Sequence, residues 1–254
     1  MDESMIDLRD QISKWIAQSV HDAGAKGTVV GLSGGIDSAV TATLCKKALG
    51  TNVLGVIMPC GSDPHDEEDA ILITTKLGIM TLTVELDETY QTLVAGLSDG
   101  TRLANANLKA RLRMTILYFL ANTLSYLVVG TGNKTELMVG YFTKYGDGGV
   151  DILPLGGLYK TQVWELARAL NIPERIINKN PTAGLWPGQS DEDELGMSYV
   201  ELDRTLQAIN TRCTDGISQE NIRKVWQWIE SSGHKRQRAP VFEAVADALP
   251  YPCE

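Results

Sequence analysis

The stretch Val29-Val30-Gly31-Leu32-Ser33-Gly34-Gly35-Ile36-Asp37-Ser38-Ala39-Val40 constrains this chain more than any other. An apolar run stops at a Ser-Gly-Gly turn, and a helix-like pattern follows at once. That layout places small residues and free backbone N–H groups at a helix N-terminus, a natural seat for phosphate. Gly34 and Gly35 let the main chain approach an anion with no Cβ in the way. Ser33 and Ser38 add hydroxyl donors. Asp37 is negative and cannot help to hold a bare phosphate. Its position makes sense when a divalent cation lies between it and the phosphates.

The string is neither a Walker A loop, since no Lys follows Gly35, nor the dinucleotide fingerprint G-x-G-x-x-G. S-G-G-x-D-S resembles the pyrophosphate loop of the N-type ATP pyrophosphatases. Members of that group cleave ATP between its α and β phosphates and adenylate an oxygen of the substrate.

A chain of 254 residues with 43% hydrophobic content can bury the core of one sizeable α/β domain. The net charge of −9 argues against a nucleic-acid coat or an anionic membrane surface as partner. Any anionic ligand therefore needs local basic clusters. The first ten residues carry acids and no apolar core, so no signal peptide is expected. No uninterrupted apolar stretch is long enough to span a bilayer. Cys45, Cys60, Cys213 and Cys253 are scattered and form no C-x-x-C pair, which points to free thiols in a reducing cytoplasm.

Periodicity predicts helices over 4–23, 36–49, 66–77, 107–125 and 159–170, and strands over 28–32, 53–58, 81–86 and 127–130. Strands alternating with helices predict a doubly wound, mostly parallel sheet with helices on both faces. Phosphate sites in such sheets lie at the C-terminal strand ends, where the loops after Leu32 and Gly130 both fall. The second half of 107–125 is apolar nearly all round, so it should be buried on more than one side. A subunit interface or a central core position would each supply the second side. Segments 60–69 and 183–198 read as mobile loops of the kind that form lids, and the acidic run 191–194 reads as a solvated face.

Further constellations carry chemistry. Gly130-Thr131-Gly132-Asn133-Lys134-Thr135-Glu136 follows a strand and opens a helix. Mg²⁺ on a triphosphate often takes one or two protein carboxylates, and Glu136 is the natural second one beside Asp37. Residues 140–154 hold glycines at 146, 148 and 149 between Lys144 and Asp151, a path suited to wrapping a ligand. Lys160 in a first helical turn opposes the helix dipole unless an anion is near. Thr182 could donate to the same nucleotide. Lys109, Arg111 and Arg113 offer cations that can hold carboxylate or phosphate. His234-Lys235-Arg236 is basic in an acidic chain, and a solvated tail is its ordinary fate.

Together, S-G-G-I-D-S, N-L-K-A-R-L-R-M, G-T-G-N-K-T-E, F-T-K-Y-G-D-G-G-V-D, P-T-A-G-L-W-P-G-Q-S-D-E-D-E-L-G and H-K-R closely resemble the NAD synthetase family over most of the chain. The resemblance implies ATP-dependent amidation of deamido-NAD with ammonia, through an adenylated nicotinate carboxylate. It implies ATP contacts from Gly31, Leu32, Ser33, Gly34, Gly35, Ile36, Asp37, Ser38, Thr131, Lys160 and Thr182, with Asp37 and Glu136 on Mg²⁺. Arg111, Lys144, Asp151, His234 and Lys235 would meet deamido-NAD, with Lys144 and Asp151 also serving catalysis. A homodimer with deamido-NAD at its interface is implied too. The glutamine-dependent members carry an extra amidase domain, and a single synthetase domain over 1–254 leaves no room for one. Rival readings are another ligase with the same loop, such as a GMP synthetase core or a tRNA-thiolating enzyme, and a non-catalytic nucleotide sensor.

Overall fold

In chain order the elements are α1 (Glu3–Asp22), β1 (Thr28–Leu32), α2 (Ile36–Leu49), β2 (Val53–Ile57), α3 (Pro64–Leu77), β3 (Met80–Thr83), α4 (Asp87–Ala95), α5 (Arg102–Leu124), β4 (Leu127–Val129), α6 (Lys134–Val139), α7 (Lys160–Ala169), α8 (Glu174–Ile177), α9 (Asp191–Leu195), α10 (Tyr199–Thr211) and α11 (Gln219–Ser231), with a 3₁₀ turn at Gly233–Lys235. They come from a computed structural model that describes residues 3–186 and 188–242; Cys253 lies outside the described residues.

The strands form one parallel sheet in the order β3-β2-β1-β4. Thr28 faces Val53 on one side and Leu127 on the other, so β1 is central. The chain winds outward from β1 to β3 and then crosses to β4 on the opposite side of β1. That reversal creates a crevice between the C-terminal ends of β1 and β4. A parallel bridge between Val129 and Ile152 extends the sheet beyond β4.

Alternation along β1 divides the two faces. Val30 and Leu32 pack with Ile16, Val40, Leu44, Val163 and Leu166, beneath α1, α2 and α7. Val29 turns the other way and packs with Leu54, Val56, Val128 and Ala121, beneath α5. Both faces are covered over β1 and β2, as their nearly continuous apolar runs require, whereas the edge strand β3 is exposed along its length. A third cluster, built on Tyr199, Leu202, Leu206 and Val225, docks α10 and α11 against α6.

Several elements differ from expectation. The third strand ends at Thr83, not at 86. Pro59 has no N–H to continue the β2 ladder, and Leu86 already caps α4, whose first turn carries Asp87 and Glu88. The helix predicted from 107 begins at Arg102, because the Thr101 hydroxyl caps it by accepting from Ala104 N at 3.1 Å. The loop predicted over 60–69 is short: Asp63 caps α3 and Pro64 opens it. The segment 183–198 contains α9, and its acidic run is a solvated face only in part: Asp193 and Glu194 are exposed, whereas Asp191 is buried. The apolar helix α5 is not a central core element: Phe119 is 67% and Leu103 64% exposed. Cys45 and Cys60 are buried free thiols and Cys213 an exposed one.

Candidate active site

The loop after β1 begins the site. Gly34 has φ +74, and a Cβ there would stand 2.1 Å from the backbone oxygen of Asp66. Only glycine allows the first turn of α3 to close over this loop. Ser38 braces the turn: its hydroxyl donates to Gly35 O at 2.9 Å and accepts from Ser33 N at 3.3 Å. Gly35 caps α2 with no side chain of its own, and its N–H donates to the Ser33 hydroxyl at 3.3 Å. Gly31 and Leu32 end β1; Ile36, Asp37 and Ser38 form the first turn of α2.

Asp37 points across the crevice to the loop after β4. Its Oδ1 accepts from Asn133 Nδ2 at 3.0 Å, and its Oδ2 meets the Lys160 ammonium. Asn133 also accepts from Glu136 N at 3.0 Å, while Glu136 Oε2 accepts from Asn133 N at 3.1 Å, a capping box that opens α6. Glu136 Oε1 lies 3.8 Å from Lys160 Nζ. Two strand ends and the start of α7 thus bring two carboxylates to one buried lysine. Asn133, fully buried, joins the carboxylates; its residue type and motif were visible in the sequence, but not its role.

The electrostatics follow from this crowding. Burial, and then the negative charge of Asp37, push the Glu136 carboxyl up to about 8, against the pull of Lys160. Burial works to lower Lys160, but Asp37 and Glu136 outweigh it and raise its pKa. Lys160 is sealed behind by Tyr199, whose ring lies 5.1 Å from the ammonium. The Tyr199 hydroxyl donates to buried Asp191 at 3.1 Å, and Tyr141 donates to the same carboxylate at 3.0 Å. Asp191 also accepts from Ala183 N at 3.0 Å, which ties down the segment that carries Thr182. Thr182 is exposed there, its hydroxyl accepting from Gly184 N at 3.1 Å. Thr131 sits partly buried between β4 and α6.

A second group lies on the 140–151 loop. Arg111 on α5 donates to Lys144 O at 3.3 Å, and Lys144 Nζ donates to His234 O. Lys235 Nζ donates to Gly140 O and Phe142 O, each at 2.8 Å, and burial lowers its pKa. The basic segment is therefore no solvated tail but a staple on the loop. Gly148 is needed there, because a Cβ would stand 2.5 Å from the Phe142 ring. Arg111, Lys144, His234 and Lys235 are brought together. Asp151 is held elsewhere: its oxygens accept from Tyr118 Oη at 2.9 Å and Val128 N at 2.7 Å. Burial first, and the Asp151 carboxylate next, push the Tyr118 hydroxyl up to about 12.

Among the described residues, no three His, Cys, Asp or Glu side chains converge as a metal cage. The oxygen pair Asp37 and Glu136 instead fits a hard cation that takes one or two carboxylates and completes its shell on phosphate and water.

The family model described as NAD synthase matches residues 8–239. The chain is 55% identical over 202 residues to the NH(3)-dependent NAD(+) synthetase of Carboxydothermus hydrogenoformans, covering 78% of this chain and 83% of that one. It is 47% identical over 238 residues to the same-named protein of Finegoldia magna, covering 93% and 95%. Among solved structures, an NMN synthetase from Francisella tularensis matches with a TM-score of 0.89 and 37% identity over 94% of this chain and 99% of that one. An NH3-dependent NAD synthetase from Campylobacter jejuni, in complex with nitrate ion, matches with a TM-score of 0.84 and 30% identity over 96% and 100%.

Proposed function

Since the chain belongs to the NAD synthase family, we propose that it is an ammonia-dependent ligase that amidates deamido-NAD at the expense of ATP. The observation that carries this reading is the cluster of Asp37, Glu136, Asn133 and Lys160 at the crevice between β1 and β4. A carboxylate is a poor acyl donor to ammonia, because it has no good leaving group. Transfer of AMP from ATP to the nicotinate carboxylate, with loss of pyrophosphate, makes it a mixed anhydride; ammonia then displaces AMP.

Each residue has a task in that sequence. Main-chain groups of Ser33, Gly34 and Gly35, with the Ser33 hydroxyl, cradle the leaving pyrophosphate, and Ser38 holds that loop in shape from behind. Asp37 and Glu136 would hold Mg²⁺, which would supply charge neutralisation on the phosphates. Lys160 places a fixed positive charge where negative charge grows, in a site that excludes water. Thr131 and Thr182 orient the nucleotide. Arg111, Lys144, His234 and Lys235 orient the deamido substrate, and Asp151 offers a rigid carboxylate for ammonium. Positioning and charge neutralisation carry the catalysis, so no protein nucleophile is required.

We further propose a homodimer, in which the exposed side of α5 around Phe119 is covered by a second copy. A cytoplasmic location fits the free thiols; no described helix is long and apolar enough to cross a membrane.

The test measures pyrophosphate release and amide formation with ATP, Mg²⁺ and deamido-NAD, supplied with ammonia or with glutamine. Turnover with ammonia and none with ammonia-free glutamine is expected; the reverse overturns the reading. One observation favours a second reading, the NMN synthetase among the structural matches. Replacing deamido-NAD by nicotinate mononucleotide in the same assay decides between the two substrates.

A further inference from the structure

One buried carboxylate takes no part in the steps above. Asp203 of α10 is 1% exposed. Its Oδ1 accepts from the hydroxyl of Thr135, and its Oδ2 accepts from Thr161 N at 2.8 Å. Thr135, fully buried, stands next to Glu136 in the first turn of α6. Its hydroxyl oxygen in turn accepts from Lys160 N at 3.0 Å. The adjoining Lys134 N donates to Leu158 O at 2.8 Å, so the first turns of α6 and α7 lie side by side. A single carboxylate therefore joins the helix start that carries Glu136 to the helix start that carries Lys160.

We propose that Asp203, acting through Thr135, is a positioning residue that sets Lys160 against Glu136; the inference rests on the ATP-dependent reading above. An ionised carboxylate only accepts hydrogen bonds. It obliges the Thr135 hydroxyl to donate, which turns that oxygen's lone pairs toward Lys160 N–H. An amide at the same place has one oxygen, so it can accept from the Thr135 hydroxyl or from Thr161 N but not from both, and its NH₂ group would face the other donor. The negative charge also lies against the first turn of α7, where the helix dipole favours it. Apolar docking of α10 does not call for this charge, because Leu202 and Leu206 already bury the helix in the cluster with Val225. A buried charge is expensive unless it is fully bonded, and here its bonds run only to the two helix starts that frame the site.

The test compares Asp203→Asn, Thr135→Val and Thr135→Ser with Val225→Ala, a core truncation in the same cluster. Thermal stability, Mg-ATP binding by calorimetry, and the KM for each substrate are measured. Groups that orient a site's first ligands typically cost about 10–100-fold when lost. Asp203→Asn and Thr135→Val should each weaken ATP binding by about tenfold or more and raise the KM for ATP, with the KM for deamido-NAD changing by less than about twofold. Thr135→Ser, which keeps the hydroxyl, should restore ATP binding. Val225→Ala should lower the melting temperature and leave the ATP affinity of the folded protein unchanged. ATP binding equal to wild type in Asp203→Asn and Thr135→Val, or a parallel rise in both KM values, overturns the inference. If Asp203→Asn does not fold, Thr135→Val, close in shape to the wild type, decides. A wild-type chain that binds no ATP overturns the functional reading itself, a result distinct from failure of the variants alone.

Discussion

The two ends of the site are built in opposite ways. At the phosphate end, buried side chains hold one another: Asp37, Asn133, Glu136 and Lys160 form a closed set across two strand ends. At the other end, Arg111, Lys144 and Lys235 are held by main-chain oxygens of a glycine-rich loop and of the C-terminal turn. The first kind of site is rigid before ligand arrives, because each charge is already met. The second keeps its cations nearer the surface, with Arg111 exposed. The contrast suits a reaction that must fix phosphates tightly and then release a large dinucleotide product.

The contrast can be broken most directly at the phosphate end. Asp37→Asn and Glu136→Gln should each lower kcat/KM by on the order of a hundredfold to a thousandfold in steady-state assays. Folded far-UV spectra are expected for both. Near-normal activity in both variants would mean that the two carboxylates hold no cation. Disrupting the outer face of α5 with Phe119→Glu should come next, converting dimer to monomer in sedimentation and lowering activity by about tenfold or more. A wild-type chain that sediments only as an active monomer would remove the interface argument.

At the substrate end, Lys144→Ala and Arg111→Ala should raise the KM for deamido-NAD by about tenfold and leave Mg-ATP affinity unchanged. A change in ATP affinity of equal size would erase the distinction between the two ends. The smallest effect concerns pH. Glu136 is raised from 4.5 to about 8 in the folded chain, so the folded state keeps a proton that the unfolded state has lost. The stability from this group is complete below 4.5 and is lost as pH rises through about 8. Without nucleotide or divalent cation, the wild type should lose thermal stability over that range more steeply than Glu136→Gln. Parallel melting curves would show that Glu136 does not hold the proton.

The first half of the fold was legible because its signals were local. The apolar runs of β1 and β2, and the glycines that close α2 and α3, mark the elements without knowledge of the rest. The start of α5 was not, since Arg102 to Ala106 has no apolar stripe and the cap at Thr101 is an unremarkable residue in sequence. The starts of α10 and α11 are also marked locally, by Ser198 with Glu201 and by Ser218. Asp37, Glu136 and Lys160 could be singled out because each breaks the ordinary logic of its position. Asn133, Asp191 and Asp203 could not: polar residues usually face water, and only the tertiary fold shows these buried.

The staple made by Lys235 has a consequence for how the molecule comes into being. Its bonds to Gly140 and Phe142 span 95 and 93 residues. The central sheet is complete once β4 has left the ribosome, yet the 140–144 loop has to wait for a lysine translated almost a hundred residues later. Contacts so distant in sequence close late and slowly. The loop after β1 can therefore form well before the 140–144 loop is stapled. Emergence of Lys235, more than collapse of the core, lets that loop close.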